Sequence, residues 1–168
     1  TIRGNEALAS EPAEGNLVYR AIQALQKELR VRRGVEIELR KKIPAGGGLG
    51  GGSSDAAAAL AGYLRLTERT LPLPRLMEMG ASLGADVPFF LFGGRALGVN
   101  RGDEIYPLED GPRQTVLIVV PRGIRVPTAD AYRWLAAPAL TKTAASPKLW
   151  RFCALSWSAQ GTGLANDF

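Results

Sequence analysis

The sequence predicts an α+β fold, on three observations. After Asn16, apolar residues recur at helical spacing (Leu17, Val18, Ala21, Ile22, Leu25, Leu29). A period of two runs from Val35 to Arg40. A glycine-rich stretch, 44–52, then leads straight into an alanine-rich run. With 46% hydrophobic and 22% charged residues the chain has globular composition, which excludes a disordered tail, a collagen-like fibre and a disulfide scaffold. Its 168 residues make one domain, or one and part of a second, with a sizeable core. No apolar run approaches the ~20 residues of a membrane helix.

Asn16 is the expected N-cap of the first helix, and Gly34 ends the basic turn that follows it. Val35, Ile37 and Leu39 alternate with Glu36, Glu38 and Arg40, as in a strand with one wet face. Beyond the glycine stretch, Ser53 or Ser54 is expected to cap a helix reaching about Leu66. Thr70 to Pro74 reads as a turn, and Leu76 to Leu83 as an amphipathic helix stopped by Gly84. Asp86-Val87-Pro88 is a helix-start signature ahead of Phe89, Phe90, Leu91 and Phe92. Arg95–Val99 and Glu104–Leu108 read as short strands around Arg101-Gly102-Asp103. The Asp110-Gly111-Pro112 break separates a first domain, 1–112, from a second, 113–168. Thr115 to Val120 reads as a buried strand and Thr128 to Leu135 as a short helix, while 136–162 carries little pattern. Trp134, Trp150 and Trp157 are expected in a core or at an interface.

Histidine is absent, which excludes Ser-His-Asp and Cys-His catalysis and His-ligated zinc. Cys153 is the only cysteine, so there is no internal disulfide and no cysteine metal cluster. The net charge is +5, and seven basic residues (Lys27, Arg30, Arg32, Arg33, Arg40, Lys41, Lys42) crowd one stretch against three acidic ones. That stretch is an anion-attracting surface or a solvated helix end, turn and strand face. The second reading is favoured, because no aromatic residues interleave as a nucleic-acid surface requires. The sequence runs from Thr1 to Phe168 without an initiating Met or a polar tail, and is expected to be a piece of a longer chain.

Six of the seven residues from Gly46 to Gly52 are glycine. Glycine weakens regular structure, so a cluster between a strand and a helix needs a reason. One is a linker, although Gly/Ser linkers are not usually followed at once by a capped helix. The other is close approach of backbone to an anion, with successive N–H groups forming a concave nest and the helix N-terminus adding its unpaired N–H groups. Ser53 and Ser54 add hydroxyls there. A Walker A loop is excluded because no lysine follows the glycines. Gly46, Gly48 and Gly51 satisfy G-x-G-x-x-G, with Glu68 beyond as a ribose partner, but the half-polar strand before them argues against a dinucleotide fold. A protein-kinase loop would be followed by a strand carrying its lysine, where an alanine-rich helix stands.

Pro44 to Ala57, PAGGGLGGGSSDAA, resembles the phosphate-binding motif of the GHMP small-molecule kinases. Asn16 to Ala21, Leu83 to Phe90 and Asn166 to Phe168 sharpen the resemblance toward a branch acting on a CDP-linked methylerythritol in non-mevalonate isoprenoid biosynthesis. It implies a GHMP N-terminal domain (ribosomal protein S5 domain 2-like) and the start of a ferredoxin-like C-terminal domain. It also implies a cytoplasmic kinase using ATP and Mg²⁺ on a small molecule, with no nucleic-acid or membrane partner. By resemblance Pro44 and Ala45 belong to the cofactor-binding segment, Gly46, Gly47, Gly48, Leu49, Gly50, Gly51, Gly52, Ser53 and Ser54 hold the phosphates, and Mg²⁺ bridges phosphate oxygens. Asn16 lies beside adenine, and Asp86 accepts the proton of the substrate hydroxyl. Thr128 and Tyr132 fall where the family holds the cytosine ring. No protein metal ligand is implied.

Residue-level alternatives stand beside these roles. Asp86 could simply cap the helix at Val87, Tyr132 could pack its helix, and Asp55 could serve the helix dipole. The family also carries a lysine on an N-terminal strand, paired with the catalytic aspartate, and a second glycine loop near its C-terminus. From Ile2 to Ser10 the only basic residue is Arg3, and no second glycine loop is present, so the chain alone is expected to be inactive. Other readings are a GHMP kinase for homoserine or mevalonate, a non-catalytic nucleotide-binding module, and a dinucleotide binder.

Overall fold

The computed structural model describes residues 2–3, 12–43, 47–113, 115, 117, 126 and 128–134. The chain forms two compact units, 1–120 and 121–168. In the first, strand β1 (Ile2–Arg3) pairs in parallel with β2 (Ile37–Glu38), with Ile2 opposite Ile37. Parallel neighbours need a crossover, and helix α1 (Leu17–Leu29) lies between them in sequence. Helices α2 (Gly51–Leu66), α3 (Leu73–Leu83) and α4 (Val87–Phe92) follow. An antiparallel hairpin, β3 (Arg95–Val99) and β4 (Glu104–Leu108), pairs Val99 with Glu104 and Arg95 with Leu108. The second unit is described only at Val126 and helix α5 (Thr128–Trp134).

The helical face read from the sequence is the buried one. Val18, Ala21, Ile22 and Leu25 of α1 are buried, and the last three join Ala56, Ala57, Leu60 and Tyr63 of α2, Met79 and Leu83 of α3 and Val87 in one core. The alanines of α2 keep that contact close, since interaxial distance follows side-chain size. Helix α3 begins at Leu73 rather than Leu76, because Pro74 suits a first turn. Val35 to Arg40 alternates in burial as expected, although only Ile37 and Glu38 are strand. In the expected 115–120 strand, Thr115 and Leu117 are exposed, Leu117 at 89%, and neither is in a strand; the rest of that run is outside the described residues. Apolar sequence becomes buried strand only where a neighbour takes its backbone groups. Trp134 is also exposed, while Cys153, Trp150, Trp157 and 136–162 are outside the described residues.

Part of the basic stretch has structural work. The Arg33 guanidinium donates to the Leu66 carbonyl at the end of α2, and the Arg33 carbonyl accepts from Gln26 and from the buried Tyr63 hydroxyl at 2.8 Å. Arg40 pairs with Glu38 and Lys41 with Asp55. The Tyr63 hydrogen bond ties the turn before β2 to α2. Tyr63→Phe is therefore expected to lower stability by about 1 kcal/mol, measured by urea denaturation; an unchanged midpoint would mean that this bond is not what holds the turn.

Candidate functional site

The glycine loop enters α2 through backbone that favours glycine. Gly48 has φ 68° and Gly50 φ 66°, while Leu49 between them is not among the positive-φ residues. Such alternation turns successive N–H groups to one side, as an anion nest requires. Gly50, not Ser53 or Ser54, is the residue before the helix, in left-handed conformation and without a side-chain cap. The expected serine cap is thus corrected: both serines lie inside the first turn. Ser54 N–H makes the first helical bond, to Gly50 O at 2.9 Å, which leaves Gly51, Gly52 and Ser53 with the unpaired N–H groups of a helix start. Ser54 Oγ donates to Gly51 O, and Ser53 Oγ has no partner among the described residues.

Neighbours box the loop in. A Cβ at Gly50 would lie 2.7 Å from the Phe90 ring, and one at Gly51 would lie 3.1 Å from Ile43. One at Gly52 would meet Leu17 at 3.6 Å, so α1 and α2 begin side by side. Asn16 caps α1 as expected, its Oδ1 accepting from Val18 N–H at 2.9 Å.

Asp86 occupies the cap position of α4, but its backbone is right-handed helical and its side chain makes no capping bond. Its carboxylate is exposed and has no partner among the described residues. Pro88 supplies the helix start instead, and close packing around Gly80, where a Cβ would lie 3.2–3.5 Å from Leu91, Val87 and Pro88, seats α4 against α3.

Asp86, Gly48, Leu49 and Gly50 line one cavity of ≈ 310 Å³. Phe89 and Phe90 form part of its wall, their rings edge to face at 5.2 Å. Gly98, Gly102 and Ile105 of the hairpin form another part. Neither Phe90 nor the hairpin was read as part of a site. The signal for the hairpin was its paired glycines: a Cβ at Gly98 would crowd the Gly102 carbonyl at 3.3 Å. At the turn Arg101 bonds Asp103 at 2.6 Å and holds its carboxyl below the usual range. Pro44, Ala45 and Gly46 are outside the described residues. Thr128 and Tyr132 fall on α5, and their side chains are outside the description. Among the described residues, no three His, Cys, Asp or Glu side chains cluster as a metal site.

The profile for the GHMP kinases N terminal domain matches residues 16–94. A 4-diphosphocytidyl-2-C-methyl-D-erythritol kinase of Solibacter usitatus is 46% identical over 157 residues, 91% of this chain and 49% of that protein. The enzyme of the same name from Citrifermentans bemidjiense is 50% identical over 119 residues, 71% of this chain and 42% of that protein. A crystal structure of 4-(cytidine 5'-diphospho)-2C-methyl-D-erythritol kinase is similar at TM-score 0.60 and 34% identity, covering 79% of this chain and 46% of that one. The chain spans about half the length of the curated relatives it matches.

Proposed function

We propose that the protein, whose residues 16–94 match the GHMP kinases N terminal domain, transfers the γ-phosphoryl group of ATP to the 2-hydroxyl of 4-diphosphocytidyl-2-C-methyl-D-erythritol, as a cytoplasmic enzyme of isoprenoid biosynthesis. The observation that carries this reading is the shared cavity. The glycine loop at the N-terminus of α2 and the Asp86 carboxylate, which has no partner among the described residues, line the same space. An N–H-rich helix start suits phosphate, and a carboxylate opposite it suits the hydroxyl that attacks phosphorus.

In this mechanism Gly46 to Ser53 offer backbone N–H groups to the β- and γ-phosphates, with Ser53 Oγ as a further donor. The acceptor oxygen forms its bond to γ-phosphorus as the bond to the β,γ-bridging oxygen breaks. Asp86 takes the hydroxyl proton, and ADP leaves. Most of the catalysis is positioning and charge stabilisation. Mg²⁺ would be carried by the phosphates and would neutralise their charge, with the Asp86 carboxylate as an oxygen of the same cavity. Asn16 lies beside adenine, its Nδ2 left to donate while Oδ1 caps α1. Thr128 and Tyr132 hold the cytosine ring.

The test uses the protein of the complete reading frame that contains this sequence, with labelled ATP and three acceptors. Phosphorylation of the CDP-linked acceptor alone is the expected result. Transfer to homoserine or mevalonate would reassign the substrate, and ATP binding without transfer would make the protein a nucleotide-binding module. Gly48→Val separates the loop from the fold. A Cβ at Gly48 meets nothing within 4 Å, so the variant carries only left-handed strain of about 1–2 kcal/mol. It puts a branched side chain in the phosphate path, and ATP affinity is expected to fall by roughly tenfold or more, about 1.4 kcal/mol. Unchanged affinity would count against the nest.

A further inference from the structure

We propose that Lys41 and Asp55 are positioning residues whose ion pair joins the two sides of the glycine loop and holds residues 47–53 in phosphate-binding shape; this rests on the phosphate-loop reading above. Lys41 stands just before the loop and Asp55 just after it, in the second turn of α2, and Lys41 Nζ contacts Asp55 Oδ2. Their side chains are 20% and 26% exposed, whereas in every other described ion pair one side chain is at least 49% exposed. This pair is therefore the least screened by solvent.

Three physical effects converge on the pair. A run of glycines is costly to order, and fixing both of its ends before a ligand arrives lowers that cost. The packing of Gly51 against Ile43, two residues beyond Lys41, extends the clamp. Asp55 also borders a mainly apolar cavity of ≈ 330 Å³ with Val18, Ile22 and Leu39, so without Lys41 its charge would face an apolar wall. Finally, a carboxylate in the second turn of α2 subtracts from the attraction of that helix end for phosphate, and the Lys41 ammonium cancels it. Neither residue lines the cavity that Asp86 shares with the loop, so both act through the loop.

The test compares parent, Lys41→Met, Lys41→Arg, Asp55→Asn and the Lys41→Met/Asp55→Asn double variant, all in the complete protein. It reads ATP affinity by equilibrium binding and amide exchange at 47–53. Lys41→Met and Asp55→Asn are each expected to speed loop exchange, with the amides of α1 and α3 unchanged, and Lys41→Met, which leaves the Asp55 charge uncancelled, to weaken ATP binding about tenfold. Lys41→Arg should retain both properties, and the double variant should be no worse than either single one. Loop exchange and affinity at parental values in both single variants would overturn the proposal. Failure of both to fold would also overturn it, making the pair a support of the whole domain. Exchange needs no nucleotide, so the two readings fail separately. A parent that binds no ATP, with variants whose loops exchange faster, sinks the phosphate-loop reading and leaves the clamp. A parent that binds ATP, with variants that match it, does the reverse.

Discussion

Asp86→Asn is expected to lower phosphoryl transfer by about 10²–10⁴-fold, the usual cost of losing a positioned base. ATP affinity and thermal midpoint are expected to stay near the parental values. Asn has the same shape, and no capping bond is lost, because Asp86 makes none. The substitution thus keeps the shape and removes the negative charge and the capacity to accept a proton beside the glycine loop. Steady-state kinetics check it: kcat should fall while KM for ATP holds, the pattern of an interaction made in the transition state. Parental kcat would remove Asp86 from the chemistry. A rise in KM alone would make it a nucleotide contact.

Gly50→Ala carries the largest expected structural effect. The residue sits at φ 66° and ψ 15°, where a Cβ costs about 1–2 kcal/mol. That Cβ would also lie 2.7 Å from the Phe90 ring, and overpacking of this kind costs about 1–3 kcal/mol. Relief requires the ring, which packs edge to face on Phe89, to turn into the cavity it lines. Together these amount to about 2–5 kcal/mol, a large part of a domain's stability of about 5–15 kcal/mol. Denaturation of Gly50→Ala and of Gly50→Ala/Phe90→Leu separates the two contributions. The double variant should recover the overpacking share and keep the backbone strain. A single variant within about 0.5 kcal/mol of the parent, the range of neutral surface changes, would show that Phe90 does not fix the loop.

The local elements were legible because their signals are local. The 3.6-residue spacing after Asn16 marked the face that α1 buries, and the Asn16 cap follows from side-chain chemistry alone. Proline placed the start of α4, and β4 ends at Leu108, ahead of Asp110-Gly111-Pro112. The glycine loop was recognisable because so many glycines before a helix have few other uses. The serine cap was misread because Gly50 takes a left-handed conformation that a serine side-chain cap neither requires nor signals.

By its own periodicities and its glycine motif, the sequence determined an α+β chain with a glycine loop at the start of α2. Only the tertiary structure decided what faces that loop. It set Phe90 against Gly50, brought Asp86 and the hairpin glycines to the same cavity, and joined Lys41 to Asp55 across the loop. It also turned Arg33 from a member of a basic cluster into the cap of α2. The physical reason is the range of the forces. Propensity, capping and amphipathic period act within a few residues and leave their mark on local sequence. The surroundings of Gly50, Asp55 and Asp86 are set by how the helices pack around Leu25, Leu60 and Leu83, and no local pattern encodes that geometry.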